Sequence, residues 1–138
     1  MEITKINPVI ADAFRKPILA SHAIESGKPF DTDLFAFAAV ENNRVLGTIE
    51  GYSLYDWVYV NYLVVDRAYR GKGIGSRLLD LVEESGRNSG RRGVQIDTFR
   101  YQAPEFYKAR GYCEKMILEG REPELDRIYL ALRFANRG

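Results

Sequence analysis

A turn that carries three glycines at alternate positions constrains the fold of this chain more than any other feature. The turn contains Gly71, Gly73 and Gly75. It follows an aromatic and β-branched run, Trp57 to Val65, and precedes an amphipathic stretch that begins at Ser76. This order predicts a strand, a glycine-rich turn and a helix. Because glycine lets the backbone approach a ligand and the first N–H groups of a helix are unpaired, the turn favours an anion such as phosphate or pyrophosphate.

The turn matches neither of two common phosphate-binding patterns. No segment supplies the G-x-x-x-x-G-K-[ST] pattern of the P-loop. The dinucleotide pattern G-x-G-x-x-G fails because the sixth position counted from Gly71 is Ser76, and counted from Gly73 it is Leu78. The pattern that fits is R-x-x-G-x-G, which runs from Arg70 to Gly75.

Length and charge restrict the class of protein. The 138 residues predict one domain that spans residues 1–138. Lys and Arg total 20 against 19 for Asp and Glu, so the charge does not favour a nucleic-acid partner. The single cysteine and the absence of a secretory pattern predict a cytoplasmic protein. No apolar run approaches the roughly 18 residues of a membrane span, so we expect no membrane partner.

Hydrophobic periodicity predicts alternating strands and helices along the chain. The predicted strands are Glu2–Ile6, Leu34–Val40, Val45–Tyr55, Trp57–Val65, Gly93–Phe99, Cys113–Glu119 and Arg127–Phe134. The predicted helices are Val9–Ala23, a helix from about Gly73, and Ala103–Arg110. Pro17 predicts a kink or two short helices in the first of these, and Asn42-Asn43 predicts a tight hairpin turn. The order indicates a mixed sheet with helices on its faces.

A second motif lies one predicted strand after the glycine turn. The segment from Gln102 to Tyr112 reads QAPEFYKARGY, a short helix followed by a glycine and an aromatic residue. Together the two motifs resemble the GNAT superfamily of acyl-CoA-dependent N-acyltransferases. They are similar to its coenzyme A pyrophosphate loop and to its A-x-x-F/L-Y-x-x-x-G-F/Y segment. With Asp97-Thr98-Phe99, the second motif also looks like that of a bacterial subgroup of the superfamily.

The resemblance implies a fold and a coenzyme site. The fold would be α/β (α+β): a mixed, mostly antiparallel seven-stranded sheet with helices on both faces and with strands four and five splayed. Acetyl-CoA would be the acyl donor, and no metal would be needed. The pantetheine arm would add to the exposed edge of strand four through the backbone of Leu63, Val64 and Val65. The pyrophosphate would lie on the N–H groups of Arg70, Gly71, Lys72, Gly73, Ile74, Gly75 and Ser76.

Acetyl transfer needs an acid for the departing thiolate, and the resemblance implies that Tyr107 is that acid. A phenol has a reference pKa near 10, so it is protonated at neutral pH and can donate to a developing thiolate. The alternative is that Tyr107 packs the short helix against the sheet, a role that Phe106 also fits.

The sequence leaves the general base open. Members of the bacterial subgroup carry an aspartate midway along strand four, and Asn61 takes that position here. An amide cannot accept a proton at neutral pH, although it can orient a water or an amine. Glu50 and Asp56 are the nearest acids in the pattern, and either could relay a proton through water. His22 continues an apolar helix face, which favours a packed histidine.

Two classes of function follow from these residues. The first is an N-acetyltransferase that moves an acetyl group from acetyl-CoA to a primary amine of a small molecule or peptide by direct attack in a ternary complex. The second is an acyl-CoA-binding module with weak or no catalysis, suggested by Asn61 in place of a carboxylate. The aromatic-rich strands are compatible with a homodimer or a monomer.

Overall fold

A computed structural model describes residues 1–30 and 32–135 of the protein. The chain divides into two compact units, residues 1–31 and residues 32–138. The first unit is helix α1, Pro8–Ser26, which Asn7 caps by accepting a hydrogen bond from the N–H of Val9. Gly27 ends the helix in the left-handed conformation. The helix passes through Pro17 without a break, so the predicted division into two short helices is wrong.

The predicted strand Glu2–Ile6 is wrong, because the chain forms no strand within residues 1–30. Ile3 and Ile6 are three residues apart, so in a strand they would point to opposite faces and could not share one buried face. Both side chains are exposed. The sequence suggested a strand from local composition, but a strand also needs a partner that supplies its hydrogen bonds.

Among its described residues, 32–135, the second unit contains one six-stranded sheet, two α-helices and two short 3-10 helices, Arg67–Tyr69 and Pro123–Leu125. The strands are β1 (Asp33–Glu41), β2 (Arg44–Leu54), β3 (Trp57–Val65), β4 (Gly93–Phe99), β5 (Cys113–Leu118) and β6 (Arg127–Arg133). The helices are α2 (Ile74–Asn88) and α3 (Pro104–Ala109). The strand order is β1-β2-β3-β4-β6-β5, and only the β3–β4 pair is parallel. The mixed, mostly antiparallel α+β architecture is therefore confirmed, whereas the seven-stranded count is wrong.

The core lies on the face of the sheet that carries α2 and α3. Helix α2 contributes Leu78, Leu79 and Val82, which recur at helical spacing and are buried. From the strands, the core takes alternate residues of β4 and their partners on β6, such as Ile96 opposite Leu130. Leu79 is fully buried, so its replacement by alanine would cost about 2 to 5 kcal/mol of unfolding free energy.

An extra residue in β3 changes which side chains face this core. Gly51 on β2 pairs with Val60, but the adjacent Glu50 pairs with Tyr62, so Asn61 is an unpaired bulge residue. Before the bulge, Val60 points into the core, and after it the inward residue is Leu63. The bulge therefore shifts the alternation by one position at the middle of the strand.

An ionic cluster links the two helices of the second unit. The Arg110 guanidinium, just after α3, donates to Asp80 at 2.5 Å and to the buried Glu83 at 2.6 Å on α2. Burial disfavours the charged guanidinium, but the two carboxylates outweigh it and raise the pKa of Arg110. Removing Arg110 would leave the buried Glu83 carboxylate without a partner, which typically costs about 3 to 5 kcal/mol, whereas Asp80 is 65% exposed and its loss leaves Arg110 paired with Glu83.

We expect Tyr112→Phe to leave the unfolding free energy unchanged or raise it by about 1 kcal/mol. The Tyr112 hydroxyl is buried, and no group in residues 1–30 or 32–135 forms a hydrogen bond with it. Phenylalanine keeps the edge-to-face contact with the Tyr107 ring, whose centroid lies 5.8 Å away. Urea denaturation measures the difference. A loss above about 1 kcal/mol would show that the hydroxyl makes a stabilising hydrogen bond.

Candidate active site

The parallel strands β3 and β4 separate before either ends. They pair from Trp57 opposite Gly93 to Val60 opposite Ile96, and there the ladder stops. Strand β3 continues to Val65 and β4 to Phe99. The predicted splaying of strands four and five is therefore confirmed, because these two strands are β3 and β4 of the structure. The two strands open a wedge whose sides are backbone edges.

The β3 side of this wedge is the edge predicted to receive the pantetheine arm. Leu63, Val64 and Val65 pair with β2 through one edge, opposite Ile49, Thr48 and Gly47 respectively. Within the described part of the chain no strand pairs with their other edge. An extended ligand could therefore add there as a further strand. The side chains of Leu63 and Val65 stay half-buried, so only the backbone would be used.

The glycine turn after β3 presents unpaired backbone donors to open space. Gly71 and Gly73 have φ values of 78° and 77°, which explains the glycines at these two positions. A Cβ on either would meet nothing within 4 Å. Helix α2 begins after Gly73 without a side-chain cap. Among the described residues, nothing accepts a hydrogen bond from the N–H groups of residues 71–76. The prediction that the Arg70 N–H is also open is wrong, because it donates to the Arg67 carbonyl at 3.4 Å.

Gly75 has a different role from the other two glycines. Its φ is not positive, and a Cβ there would lie 3.7 Å from Val65 and 3.8 Å from Phe106. These are ordinary contact distances, so Gly75 is not required by the backbone conformation. It lies in the first turn of α2, at the N-terminal end of the helix, where the helix dipole is positive.

Basic side chains surround the turn. The Arg70 Nε donates to the Val65 carbonyl at 3.3 Å, which ties the turn to the end of β3. Lys72 and Arg44 lie over the Tyr69 ring, with their charged atoms 5.3 Å and 5.8 Å from its centroid. The side chains of Arg67 and Arg77 are also exposed nearby in sequence. Together they give the turn a positive potential that suits an anion.

Tyr107 lies on α3 and is 7% exposed. Its ring packs edge-to-face against Phe106 and Tyr112, with centroid distances of 5.1 Å and 5.8 Å. Burial, together with the nearby Asp97 charge, raises the pKa of Tyr107 to about 12. The phenol therefore holds its proton throughout the neutral range.

Gln102 fixes the turn that leads from β4 into α3. Its side-chain oxygen accepts from the N–H of Phe99 at 2.9 Å and lies 3.0 Å from the Thr98 hydroxyl. These bonds join the end of β4 to the start of the helix that carries Tyr107. The QAP segment found in the sequence thus has a structural function beside any chemical one.

The structure separates the predicted base candidates. Asn61 is the bulge residue at the point where β3 leaves β4, and Glu50 lies nearby, because it pairs with Tyr62 on the neighbouring strand. Both are exposed. Asp56 precedes the other end of β3, about 15 Å from the bulge along the strand. Asp56 is therefore too far from the wedge, and His22 lies on α1 in the other unit.

Sequence reasoning missed Asp97. This residue follows Ile96, the last β4 residue paired with β3, and it forms an ion pair with Arg127 of β6 at 2.7 Å. The sequence showed Asp97 only as part of the segment that carried the resemblance. Its partner is 30 residues away, so no local pattern could indicate that the carboxylate lies at the wedge.

Comparison with known proteins places the chain in a family. The model of the acetyltransferase (GNAT) family matches residues 7–112. The Blasticidin-S acetyltransferase of Streptomyces morookaense is 32% identical over 108 residues, which are 77% of this chain and 74% of that protein. The chain therefore belongs to the GNAT family of acetyltransferases.

Solved structures agree with this assignment. A structure described as an acetyltransferase from Agrobacterium tumefaciens has a TM-score of 0.82 and 27% identity, and covers 97% of this chain and 98% of its own. A structure from Bacillus anthracis is described as a streptothricin acetyltransferase in complex with acetyl coenzyme A. It has a TM-score of 0.65 and 21% identity, and the match covers 74% of this chain and 63% of that chain. The second likeness concerns the fold alone.

Two further observations concern what the described residues contain. No group of three or more His, Cys, Asp and Glu side chains in residues 1–30 and 32–135 is arranged to hold a metal ion. Over the same residues, no helix combines the length and the hydropathy needed to cross a membrane.

We expect Gly73→Val to weaken coenzyme A binding at least about tenfold, because the side chain would enter the space through which the backbone N–H groups reach an anion. Gly90→Val is the matched control. Gly90 has a φ of 75° and nothing within 4 Å of its Cβ position, and it lies beyond the opposite end of α2. Both variants carry the same left-handed strain, about 1 to 2 kcal/mol.

Isothermal calorimetry on folded samples measures the two affinities. Thermal melting checks that the two variants are destabilised by the same amount. The predicted result is a loss of affinity in Gly73→Val and wild-type affinity in Gly90→Val. Equal affinities in the two variants would contradict the assignment of the turn.

Proposed function

We propose that this protein is an acetyl-CoA-dependent N-acetyltransferase that acts as a single cytoplasmic domain on a primary amine of a small molecule or peptide. The amine attacks the thioester directly in a ternary complex. The observation that carries the proposal is the short path from β3 to the glycine turn: one turn of 3-10 helix, Arg67–Tyr69, separates the free edge at Leu63 to Val65 from the open N–H groups of residues 71–76. One extended ligand with an anionic end fits both features.

The relatives support the choice of the acetyl donor. Blasticidin-S acetyltransferase is by name an acetyltransferase, and the Bacillus anthracis structure of the same fold contains acetyl coenzyme A. In the proposed complex, the pyrophosphate accepts hydrogen bonds from residues 71–76. The pantetheine amides pair with the β3 edge, which directs the thioester towards the wedge between β3 and β4.

Tyr107 would then assist the departure of the thiolate. Its pKa of about 12 lies about 3 to 4 units above the reference value of a thiol, so complete proton transfer would be uphill by about 5 kcal/mol. The phenol therefore acts best as a hydrogen-bond donor that stabilises the developing negative charge on sulfur. The acceptor ammonium first loses a proton to water, and the free amine then attacks the thioester carbonyl. As the C–S bond breaks, the nitrogen of the new amide loses its second proton, which reaches the departing thiolate through water.

A second candidate function is an acyl-CoA-binding module with weak or no catalysis. The observation that favours it is Asn61, an amide at the bulge where a base could stand. The two functions share the coenzyme site and differ only in turnover. A screen of acetyl-CoA turnover against polyamines, aminoglycosides, amino acids and peptides, read as released thiol, separates them. Tight acetyl-CoA binding without thiol release on any amine would favour the binding module.

We expect Tyr107→Phe to lower kcat about 10²-fold, the lower end of the usual range for acid–base groups, and to leave the affinity for acetyl-CoA unchanged. The variant keeps the ring and its packing and removes the only proton that the side chain can give. Tyr112→Phe is the matched control, since it removes a hydroxyl from the neighbouring ring. Steady-state kinetics on the best amine measure both. A Tyr107→Phe variant with the kcat of the control would show that Tyr107 only packs α3.

A further inference from the structure

The separation of β3 and β4 places two polar side chains at its first step. Val60 and Ile96 are the last paired residues, so Asn61 and Asp97 are the next residues on the two strands. Val60 and Ile96 are buried in the core, and successive side chains of a strand alternate between faces. Asp97 therefore leaves the core face at the mouth of the wedge, where its side chain keeps 21% of its surface exposed. The carboxylate that β3 lacks at Asn61 stands on the facing strand.

Arg127 holds the Asp97 carboxylate from the β6 side. Its Nε donates to one carboxylate oxygen, Oδ2, at 2.7 Å. That hydrogen bond is the largest cause of the raised pKa of Arg127, to which Tyr129 and Tyr62 also contribute. No hydrogen bond to the other oxygen, Oδ1, occurs among the described residues. Arg127 thus positions the carboxylate and leaves one oxygen for a ligand.

Aromatic rings surround this pair. The Arg127 guanidinium lies 5.3 Å from the Tyr129 ring centroid and 5.9 Å from that of Phe99. Phe99 in turn stacks on Tyr101 at 5.8 Å, and the Tyr101 ring is exposed. Tyr62 completes the set from β3 and is exposed as well. A carboxylate among rings suits a cation that carries a flat apolar group.

We propose that Asp97 is the residue that binds the acceptor, by accepting a hydrogen bond from its ammonium group, with Asn61 as the second oxygen ligand. The preferred acceptor is a cationic primary amine attached to an aromatic or similarly flat group. This inference rests on the proposed function, because it places the amine at the wedge towards which the thioester is directed. Binding at Asp97 makes and breaks no covalent bond.

Two substitutions that change the charge at this site should change the affinity for a cationic amine in opposite directions. Asp97→Asn removes the negative charge and keeps the shape, so it weakens the binding of a cationic amine about 10- to 100-fold. Arg127→Gln removes the competing positive charge and keeps a neutral amide N–H that can hold the Asp97 carboxylate, so it strengthens the same binding. Damage to the structure would weaken binding in both variants.

The probe is phenethylamine, with phenethyl alcohol as its neutral counterpart, titrated by calorimetry into the complex of the protein with coenzyme A. Asp80→Asn is the matched control, because Asp80 also pairs with an arginine but lies on α2. Glu50→Gln tests the alternative carboxylate. The predicted result is weaker phenethylamine binding in Asp97→Asn alone, stronger binding in Arg127→Gln, and equal binding of the alcohol throughout.

The inference is overturned if phenethylamine does not bind the wild type, if Asp97→Asn binds it as tightly as Asp80→Asn, or if Arg127→Gln also weakens binding. The same variants, assayed with the best amine of the turnover screen, should show a raised KM in Asp97→Asn with a smaller change in kcat. Turnover with an unchanged KM in Asp97→Asn would reject this inference and leave the proposed function intact. If the wild type binds phenethylamine in a charge-dependent way but turns over no amine, the proposed function is rejected and the assignment of Asp97 as the amine-binding residue is kept.

Discussion

The parting of β3 from β4 after Val60 and Ile96 is the constraint on which the rest of the site depends. Beyond this point, within residues 1–30 and 32–135, each strand pairs on its outer side only, β3 with β2 and β4 with β6. The inner edges are left with backbone donors and acceptors that a closed sheet would have satisfied. Since unpaired backbone groups are costly when buried, such a wedge suits a ligand or water. The bulge at Asn61 coincides with the separation and sets which side chains of β3 face each way.

Helices α2 and α3, next to the wedge, are linked to each other by ion pairs. Helix α2 starts at the glycine turn and α3 carries Tyr107, and Arg110 joins them through Asp80 and Glu83. The ion pairs of Arg110 therefore connect the helix that follows the glycine turn with the helix that carries Tyr107. A second ion pair, Asp97 with Arg127, joins β4 to β6 on the other side of the strand separation. One ionic cluster therefore lies beside the proposed coenzyme site, and the other lies in the proposed acceptor site.

Local features of the sequence predicted the parts of this fold that depend on local conformation. The hairpin turn predicted at Asn42-Asn43 is present, and both asparagines have positive φ values. The predicted order of a strand, a glycine-rich turn and a helix is present as well. The amphipathic period of α2 identified Leu78 and Val82 as buried, but it also placed the exposed Leu81 on that face and did not identify the fully buried Leu79. The motif pair from Arg70 to Tyr112 was enough to indicate the family that the comparison then showed.

Features that depend on distant pairing could not be predicted in this way. The bulge at Asn61 exists only in the register of β3 against β2, and the first predicted strand failed for want of any partner. Asp97 meets Arg127 only because β4 lies beside β6 in the sheet. The sequence therefore indicated the proposed coenzyme site, which is built from contiguous residues, and missed the proposed acceptor site, whose residues come from three strands.

Amide hydrogen exchange with and without acetyl-CoA tests the central claim most directly. If the coenzyme lies along the parted edge of β3 and on the glycine turn, the amides of residues 71–76 and alternate amides of residues 63–65 become protected. The β1–β2 hairpin, which has no free inner edge in this account, should be unchanged. Protection that arises elsewhere in the sheet, or unchanged exchange in residues 63–76 at saturating acetyl-CoA, would contradict the account.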